Sequence, residues 1–292
     1  MQTVKTLSIL GLGLMGGSLG LAARRSGVAA RVHGYARREE TRQAALDRGV
    51  VDAVFDDACE AVRDADLVVI CVPVLMIAPL VEACRDGLSE DAVVTDVGST
   101  KGHLATSINA LLKDSGAQFV GSHPIAGSEE TGIDATQEDL YKEAVVVVTP
   151  SEESAEASVQ RVVALWEALD AVVKVCSPQE HDALLACTSH LPHLVAAALV
   201  SSVLGGSPER GDYCGSGFRC TTRVAGGSED VWHDIVKTNR EAILNALKGY
   251  AREVQHLIES VEGEDLNALT SFLADARRLR LGWQNDEREG SL

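Results

Sequence analysis

Positive charge is in short supply in this chain. Its 292 residues include 26 Lys and Arg against 43 Asp and Glu, a formal net charge of −17 at pH 7. A surface with this excess of negative charge repels nucleic acid and anionic membranes, so neither is an expected partner. An anionic substrate would need a locally basic pocket. Arginines clustered in one segment therefore carry more information here than they would in a basic protein.

Paired cysteines and long apolar runs are also lacking. The seven cysteines are an odd number, lie far apart and form no C-x-x-C pair, which argues against a disulfide framework and a structural zinc site. No uninterrupted apolar run reaches the roughly 18–20 residues that span a bilayer, and no signal-peptide cleavage site follows the apolar N-terminus. These absences predict a cytoplasmic protein that holds no metal.

The first chemical motif is TLSILGLGLMGGSLGLAARRSG, near the N-terminus. An apolar run meets Gly11-x-Gly13-x-x-Gly16 and continues into an Ala- and Leu-rich stretch, the strand–turn–helix order of a dinucleotide-binding fingerprint. Gly11 permits the tight turn, Gly13 lets the backbone approach a pyrophosphate, and Gly16 lets the helix pack closely against the strand. The helix N-terminus offers unpaired N–H groups to the phosphates. The expected cofactor contacts here are Gly11, Gly13, Leu14, Met15 and Gly16.

Further Val- and Ile-rich segments follow at the spacing of alternating strands and helices: residues 31–35, 65–73, 92–99, 117–124 and 144–150. Continuous apolar runs such as LVVICV suit strands that are covered on both faces. We therefore predict an α/β fold with an N-terminal Rossmann-type domain. Ligands bind beyond the carboxyl ends of the strands in such sheets, where Val72 and Pro73 join the expected cofactor site.

The end of the second predicted strand bears on the choice between NAD and NADP. An acid about 20 residues beyond the glycines binds the ribose 2′-hydroxyl of NAD, but this point falls near Ala36, followed by Arg37 and Arg38. Two arginines suit a 2′-phosphate. The charge pattern therefore favours NADP, with NAD kept as a candidate. The alternative is that both arginines are solvated residues at the start of a helix.

Polar residues after the later strands are candidates for catalysis. Ser99 and Lys101 lie in DVGSTK, and His123 lies in GSHPIAGSE, beside a proline and between glycines. Because the carboxyl ends of parallel strands share one edge of the sheet, we expect these three side chains to converge near the nicotinamide side of the crevice. Asp96 is expected to form a turn or a cap rather than to catalyse.

The second half of the chain is expected to be an all-helical dimerisation domain. The segment beginning at Pro178 is a long Ala-, Leu- and Val-rich stretch in which Pro192 is expected to introduce a kink. A small domain with so apolar a helix cannot cover every face alone, so a homodimer through this domain is expected. The predicted regions are a dinucleotide-binding domain at 1–176, the helical domain at 177–283, and a disordered tail at 284–292.

Two segments of the helical half hold residues that could face a ligand. SHLPH contains His190 and His193, and hydrogen bonding to substrate is the favoured interpretation for His193, with a buried histidine or a metal ligand as alternatives. Arg219 and Arg223, in GSGFRCTTRVAGG, are four residues apart and would project from one side of a helical turn. Two such guanidinium groups suit a small dicarboxylate, since each can form a bidentate pair.

Together these segments resemble the prephenate/arogenate dehydrogenase family of tyrosine biosynthesis. GLGLMGGSLG, CVP, DVGSTK, GSHPIAGSE, HDALLACTSHLPH and GFRCTTRVA occur in that order, followed by Trp232 in VWHDI. The resemblance covers most of the chain. It implies NAD(P)-dependent oxidative decarboxylation of prephenate to 4-hydroxyphenylpyruvate, with arogenate, or both substrates, as the alternative.

The resemblance also implies roles for individual residues. By position, His123 looks like the catalytic histidine that binds the C4 hydroxyl of the ring and accepts its proton during hydride transfer. Ser99 looks like the serine that orients that hydroxyl and the histidine. His193 resembles a contact to the substrate side chain and Arg223 a carboxylate-binding arginine. Glu129 resembles part of a gate at the mouth of the site.

The chain departs from the family pattern, and other interpretations compete with it. Cys220 stands where an aspartate is common, beside Arg219, a region that reaches the neighbouring subunit's site in the family. A β-hydroxyacid dehydrogenase, or a related pyrroline-5-carboxylate reductase-like enzyme, shares the general plan, but the hydroxyacid enzymes would want a lysine base where this chain has HDALLACTSHLPH. A protein that only senses NADP would keep the glycines without needing His123, Ser99 or Arg223.

Overall fold

The structure, a computed structural model, describes residues 4–127 and 130–289, with side chains as far as 283. The chain forms two compact units that divide between Ile243 and Leu244, within one long helix. The boundary predicted at 176/177 differs from this division. It lies where the last strand gives way to helices, inside the first unit.

A parallel sheet forms the centre of the first unit. Its strand order is β3-β2-β1-β4-β5-β6, the doubly wound order of dinucleotide-binding folds, so the predicted fold class is confirmed. Leu7 of β1 lies in register between Val32 of β2 and Leu67 of β4, and all three are buried. The strands are β1 (Val4–Leu10), β2 (Ala29–Tyr35), β3 (Ala53–Phe55), β4 (Leu67–Ile70), β5 (Val93–Asp96), β6 (Gln118–Phe119), β7 (Gly121–Pro124), β8 (Val145–Thr149) and β9 (Val172–Val175).

Helices cover both faces of this sheet, and helices predominate after the last strand, β9. Buried apolar residues of α1 and α6 pack on one face, and those of α3, α4 and α5 pack on the other. The helices are α1 (Leu14–Ser26), α2 (Glu39–Asp47), α3 (Ala58–Val62), α4 (Val74–Cys84), α5 (Gly102–Leu112), α6 (Glu156–Glu167), α7 (Pro178–Leu185), α8 (Leu191–Leu204), α9 (Ser216–Thr222), α10 (Glu229–Thr238), α11 (Arg240–Glu262) and α12 (Leu266–Glu289).

The turn between β1 and α1 needs its glycines. Gly11 has a φ of +108°, and a Cβ there would lie 2.4 Å from the carbonyl oxygen of Cys71. A Cβ on Gly16 would lie 1.9 Å from the carbonyl oxygen of Gly11. Larger residues at either position would therefore push the helix away from the end of the strand.

A second, smaller sheet carries His123. The segment predicted as one strand at 117–124 is two strands, because the chain leaves the parallel sheet after β6 and enters a sheet of order β7-β8-β9. β7 and β8 are antiparallel, and His123 lies opposite Val147. All four residues of β7 are buried. This arrangement holds His123 on a short strand beside the carboxyl end of β5.

The long apolar segment does contain an irregularity near its proline. Helices α7 and α8 are joined by a π-helical turn, Ala186–His190, in which the Leu191 N–H donates to the Ala186 carbonyl. Pro192 has no N–H to donate to Thr188, so the regular hydrogen-bond ladder cannot run through this point. The expected kink therefore takes the form of a π turn, a feature frequent at functional sites.

The same segment is more apolar than the search for uninterrupted runs indicated. Pro178–Leu204 is one helical stretch of 27 residues, long and apolar enough to cross a bilayer, and its most apolar 18-residue window has a mean hydropathy of 1.6. No uninterrupted apolar run spans it, as the sequence indicated, but its interruptions are mostly uncharged. A core helix has the same composition. However, only 28% of its most apolar window is buried within the chain, so much of this apolar surface is exposed.

The second unit consists of α11 from Leu244 onward and α12. Several of its large apolar side chains are exposed, including Val261 at 63%, Leu266 at 70% and Leu273 at 57%. Helix α12 continues to Glu289, so residues 284–289 are helical where the sequence suggested a disordered tail. Two helices with this much exposed apolar surface have no core of their own to bury it.

Candidate active site

A cavity of about 690 Å³ opens in the first unit and brings together most of the predicted catalytic and substrate-binding residues. Ser99, His123, His193 and Arg223 all line it. Arg219, which was expected to share the site with Arg223, is exposed and is not part of the lining. Helix α9 ends at Thr222 and Arg223 begins a 3₁₀ turn, so the spacing of a regular helix does not hold between the two arginines. Glu129 lies outside the described residues.

His123 is one of the buried side chains of this cavity. It is 9% exposed, and its Nδ1 lies 2.8 Å from Nε2 of His181. Burial lowers the pKa of His123 well below its ordinary value, and the neighbouring His181, Lys101 and His190 act in the same direction. The imidazole is therefore neutral at pH 7 and can accept a proton.

His181 and Asp182, at the start of α7, connect His123 to the parallel-sheet unit. His181 Nδ1 lies 2.8 Å from Asp182 Oδ1. The same carboxylate accepts the backbone N–H of Lys101 at 2.7 Å and of Gly102 at 2.9 Å, at the N-terminus of α5. Sequence reasoning assigned no role to either residue. Their one signal was a histidine–aspartate pair just after the S-P-Q-E capping box, and the partner of His181 is 58 residues away in the chain.

Lys101 does not face the cavity, contrary to the expectation that it would converge with Ser99 and His123. Its ammonium is fully buried, forms an ion pair with Asp96 and donates to the Ser122 carbonyl at 2.9 Å. Asp96 also accepts the Gly98 N–H at 2.8 Å, the turn-forming role expected of it. The Lys101–Asp96 pair contacts β7 through the Ser122 carbonyl, one residue before His123.

His193 forms one wall of the cavity together with Trp232. The two rings are stacked, with centroids 3.5 Å apart and planes inclined by 15°. Burial lowers the pKa of His193. A Cβ on Gly227 would lie 3.0 Å from the indole nitrogen and 3.2 Å from His193 Cε1, so a glycine lets the loop approach this stack. The stack presents an uncharged, flat surface to a ligand.

His190 is a cavity residue whose role the sequence left undefined. The Asn239 amide donates to the Asp182 carbonyl at 2.8 Å and to His190 Nδ1 at 3.3 Å. The proton of the neutral ring therefore lies on Nε2, a buried atom with no hydrogen-bond partner within the described residues. Burial lowers the pKa of His190 to about 4. An unsatisfied buried donor that lines a cavity is a suitable contact for a ligand oxygen.

A second cleft, of about 620 Å³, lies at the carboxyl ends of β1, β2 and β4. Three of the predicted cofactor residues do not line it: Leu14 and Gly16 are buried, and the Met15 carbonyl accepts the Tyr141 hydroxyl at 2.7 Å. These three build the turn that shapes the cleft. The predicted cofactor residues that line it are Gly11, Gly13, Arg37, Arg38, Val72 and Pro73.

The cleft fits a dinucleotide. Helix α1 begins at Leu14, and its N-cap residue, Gly13, provides no side-chain hydrogen bond to the helix N–H groups. Apart from Gly13 itself, its chain neighbours and the adjoining helix backbone, no heavy atom of the described residues lies within 4 Å of where a Cβ on Gly13 would be, which leaves space for a pyrophosphate. Arg37 and Arg38 are exposed at the far end of β2, where the lining contains no carboxylate. Met15 follows the cleft residue Gly13 by two positions, and its Sδ lies 3.9 Å from the Cβ position of Gly127, which lines the cavity of His123. The cleft therefore adjoins that cavity.

Comparisons with known proteins agree with this geometry. The family model described as the prephenate dehydrogenase nucleotide-binding domain matches residues 19–175, and the prephenate dehydrogenase dimerization domain matches residues 177–275. The prephenate dehydrogenase of Bacillus subtilis (strain 168) is 34% identical over 285 residues, which are 96% of this chain and 76% of the relative.

Two solved structures are similar to this chain over nearly its whole length. The crystal structure of prephenate dehydrogenase from A. aeolicus, in complex with hydroxyphenyl propionate and NAD⁺, has a TM-score of 0.88 and 33% identity, covering 95% of this chain and 97% of that one. The crystal structure of Synechocystis arogenate dehydrogenase has a TM-score of 0.84 and 30% identity, covering 95% of this chain and 99% of that one.

The buried neutral histidines predict a loss of stability in mild acid. An unfolded imidazole has a pKa near 6.5, whereas the pKa of folded His190 is about 4. Between these values the unfolded chain binds more protons, so the free energy of unfolding falls as the pH decreases. We expect His190 alone to contribute about 2 kcal/mol to the difference between pH 8 and pH 5. Urea denaturation at both pH values measures this difference.

A pair of variants isolates the contribution of His190. His190→Gln removes the titrating group, so the pH-dependent difference should shrink by about 2 kcal/mol. His103→Gln removes an exposed histidine and should leave it unchanged. Equal pH dependence in wild type and His190→Gln would show that the ring is not held neutral.

Proposed function

The chain belongs to the prephenate dehydrogenase family, and we propose that it oxidises prephenate with loss of CO₂, forming 4-hydroxyphenylpyruvate and reduced NAD(P). The observation that carries the proposal is the composition of one cavity beside the dinucleotide cleft: a buried neutral histidine, His123, with the hydroxyl of Ser99 and the guanidinium of Arg223. These groups supply a base, an orienting donor and an anchor for a carboxylate. Such a set matches a cyclohexadienol dicarboxylate.

The chemistry needs one proton acceptor. Removal of hydride from ring C4 leaves a developing carbonyl, so the C4 hydroxyl releases its proton, which His123 accepts. The bond between ring C1 and its carboxylate breaks, its electron pair enters the ring, and CO₂ departs. The oxygen at C4 then takes the proton back from His123 and becomes a phenol. Over the cycle the enzyme neither gains nor loses a proton.

The remaining cavity residues orient the substrate. We assign Ser99 the hydrogen bond to the C4 hydroxyl and Arg223 the binding of a carboxylate, since both line the cavity of His123. His193, on its stack with Trp232, is a contact for the side chain of the substrate. Bound NAD(P)⁺ supplies the hydride acceptor, and the N-terminus of α1 at Gly13 would hold its pyrophosphate.

Arogenate is the second candidate substrate. It differs from prephenate by an amino group in place of a keto group in the side chain, and a solved structure 30% identical to this chain is an arogenate dehydrogenase. The cavity supports either substrate by the same chemistry at C4. The ranking of the two depends on contacts to the side chain, around His193 and the Nε2 donor of His190.

The first test measures initial rates of cofactor reduction with prephenate and with arogenate, each with NAD and NADP. We expect turnover with prephenate, and a loss of about 10²–10⁴-fold in kcat for His123→Asn, because the amide cannot accept the proton. His103→Asn, at an exposed position, is the control and should match wild type. Tight cofactor binding with no turnover of either substrate would contradict the proposal, as would an active His123→Asn variant.

We also propose that NADP is the preferred cofactor. The cleft at the end of β2 has exposed Arg37 and Arg38 in its lining and no carboxylate there to bind a ribose 2′-hydroxyl. A guanidinium forms charge-assisted hydrogen bonds with a phosphate. The alternative, that these arginines are only solvated, predicts equal use of both cofactors or a preference for NAD.

Replacing these arginines tests the preference. Arg37→Ala combined with Arg38→Ala should raise KM for NADP roughly 10- to 100-fold, the loss expected for hydrogen bonds to a charged group, while KM for NAD changes little. Arg63→Ala, another exposed arginine in the same domain, is the control. An unchanged ratio of the two KM values would remove the arginines from cofactor selection.

We propose that the protein acts in the cytoplasm as a homodimer whose contacts involve the helical half. Residues 177–275 match the family's dimerization domain, and the apolar helices of that half leave large side chains exposed. Sedimentation should give twice the chain mass of 30.9 kDa. Leu273→Glu should weaken the dimer because it places a charge on an exposed apolar position of α12.

A control for this variant lies on the same helix. Ser271→Glu is two residues earlier and is rotated about 200° around the helix axis, so it should leave the dimer intact. A wild-type protein that sediments as a monomer at micromolar concentration would contradict the proposed assembly.

A further inference from the structure

A histidine acts as a base only through a ring nitrogen that carries no proton. In neutral imidazole, one nitrogen is a donor and the other an acceptor, and an isolated ring does not determine which is which. His123 must therefore present its bare nitrogen to the cavity rather than to the protein interior. Its Nδ1 is occupied by the contact to His181, which leaves Nε2 as the nitrogen available to a ligand.

The chain of hydrogen bonds begins at a carboxylate that can only accept. Asp182 Oδ1 receives the Lys101 N–H, and Oδ2 receives the Gly102 N–H, both at the N-terminus of α5. Backbone N–H groups cannot accept, and the positive end of a helix stabilises a negative charge. The carboxylate is therefore an acceptor towards His181 as well. The proton in the contact of 2.8 Å lies on His181 Nδ1.

The position of the proton on His181 determines the position of the proton on His123. With the proton of the His181 imidazole on Nδ1, its Nε2 is an acceptor, and His123 Nδ1 is the donor in the 2.8 Å contact between the rings. His181 is 0% exposed and His123 is 9% exposed, so water is a poor substitute for either partner. The proton of His123 is held on Nδ1, and its Nε2 lone pair faces the cavity.

We propose that His181 and Asp182 are positioning residues that fix His123 in the tautomer able to accept the substrate proton. This inference rests on the proposed function of His123. When Nε2 receives the proton, the ring becomes an imidazolium whose Nδ1–H already points along the chain towards the Asp182 charge. The arrangement has the logic of a Ser-His-Asp triad, in which the carboxylate selects the tautomer and stabilises the imidazolium, with a second histidine inserted between the two.

The pair is held rigidly enough for this role. The Asn239 amide donates to the Asp182 backbone carbonyl at 2.8 Å. If Asp182 only capped α5, it would accept the same two N–H groups. Catalysis would then not depend on which nitrogen of His181 and of His123 carries the proton.

Asp182→Asn separates the two roles. With its oxygen at the Oδ2 position, the amide still accepts the Gly102 N–H, whereas its NH₂ takes the Oδ1 position, donates to His181 Nδ1 and so reverses every later hydrogen bond, at the cost of the Lys101 N–H contact. His123 then carries its proton on Nε2. We expect kcat to fall by about 10²–10⁴-fold, as it does when the carboxylate of a Ser-His-Asp triad becomes an amide, with KM for substrate and cofactor changing by less than about threefold.

A spectroscopic measurement reads the tautomer without any turnover. In ¹⁵N-labelled protein without substrate, the two-bond ¹H–¹⁵N correlations of His123 should identify Nε2 as the bare nitrogen in wild type and Nδ1 in Asp182→Asn. Ser177→Ala is the matched control: it weakens the cap of the same helix, so it should lower the melting temperature while leaving kcat and the ¹⁵N pattern unchanged.

The outcomes are distinct. An Asp182→Asn protein that folds, binds cofactor, carries the His123 proton on Nε2 and still keeps kcat within about threefold of wild type would overturn the proposal, as would a wild-type His123 with bare Nδ1. If that variant does not fold or keeps the wild-type ¹⁵N pattern, His181→Phe decides, since it removes the acceptor and frees His123 to place its proton on Nε2. Its kcat should fall in proportion to the rings that adopt that tautomer, and an unchanged kcat and ¹⁵N pattern would overturn the proposal. Failure of wild type to oxidise either substrate would refute the proposed function instead, and the ¹⁵N measurement would still report the tautomer.

Discussion

The carboxylate of Asp182 is the point on which the geometry of the site depends. It accepts two backbone N–H groups at the start of α5 and one ring N–H from His181, and so connects the parallel-sheet region to the helical segment that forms the opposite wall of the cavity. A buried carboxylate with three donors is well compensated for its loss of hydration. Removing any of these contacts would change both the position of α7 and the direction in which His123 presents its lone pair.

The π turn between α7 and α8 has a comparable role on the far side of the cavity. Pro192 cannot take part in the regular ladder, and the turn that accommodates it shifts the residues that follow around the helix axis. His190 and His193 thereby face the same cavity, each in contact with the ring of Trp232. The irregularity gives an apolar helix two polar positions on one surface without any charged residue.

Sequence reasoning found what local patterns encode. The glycine turn, the doubly wound fold class, and the presence of Ser99, His123 and His193 at a common site follow from motifs confined to short segments at strand or helix ends. It missed His181, Asp182 and Asn239 because their roles depend on contacts between segments about 50 to 80 residues apart. It misplaced Lys101 because a lysine after a strand end can turn inward to an aspartate as readily as outward to a ligand.

A base with a pKa well below 6.5 is weak, which places a constraint on the reaction it can serve. Burial keeps His123 neutral at pH 7, so the whole population is ready to accept a proton, but the driving force for that transfer is small. A reaction that loses CO₂ and gains an aromatic ring supplies its own driving force. The protein then has to orient the substrate and place one unprotonated nitrogen at the hydroxyl. A buried base with a fixed tautomer meets that need better than a stronger, solvated base, which would be partly protonated near neutral pH.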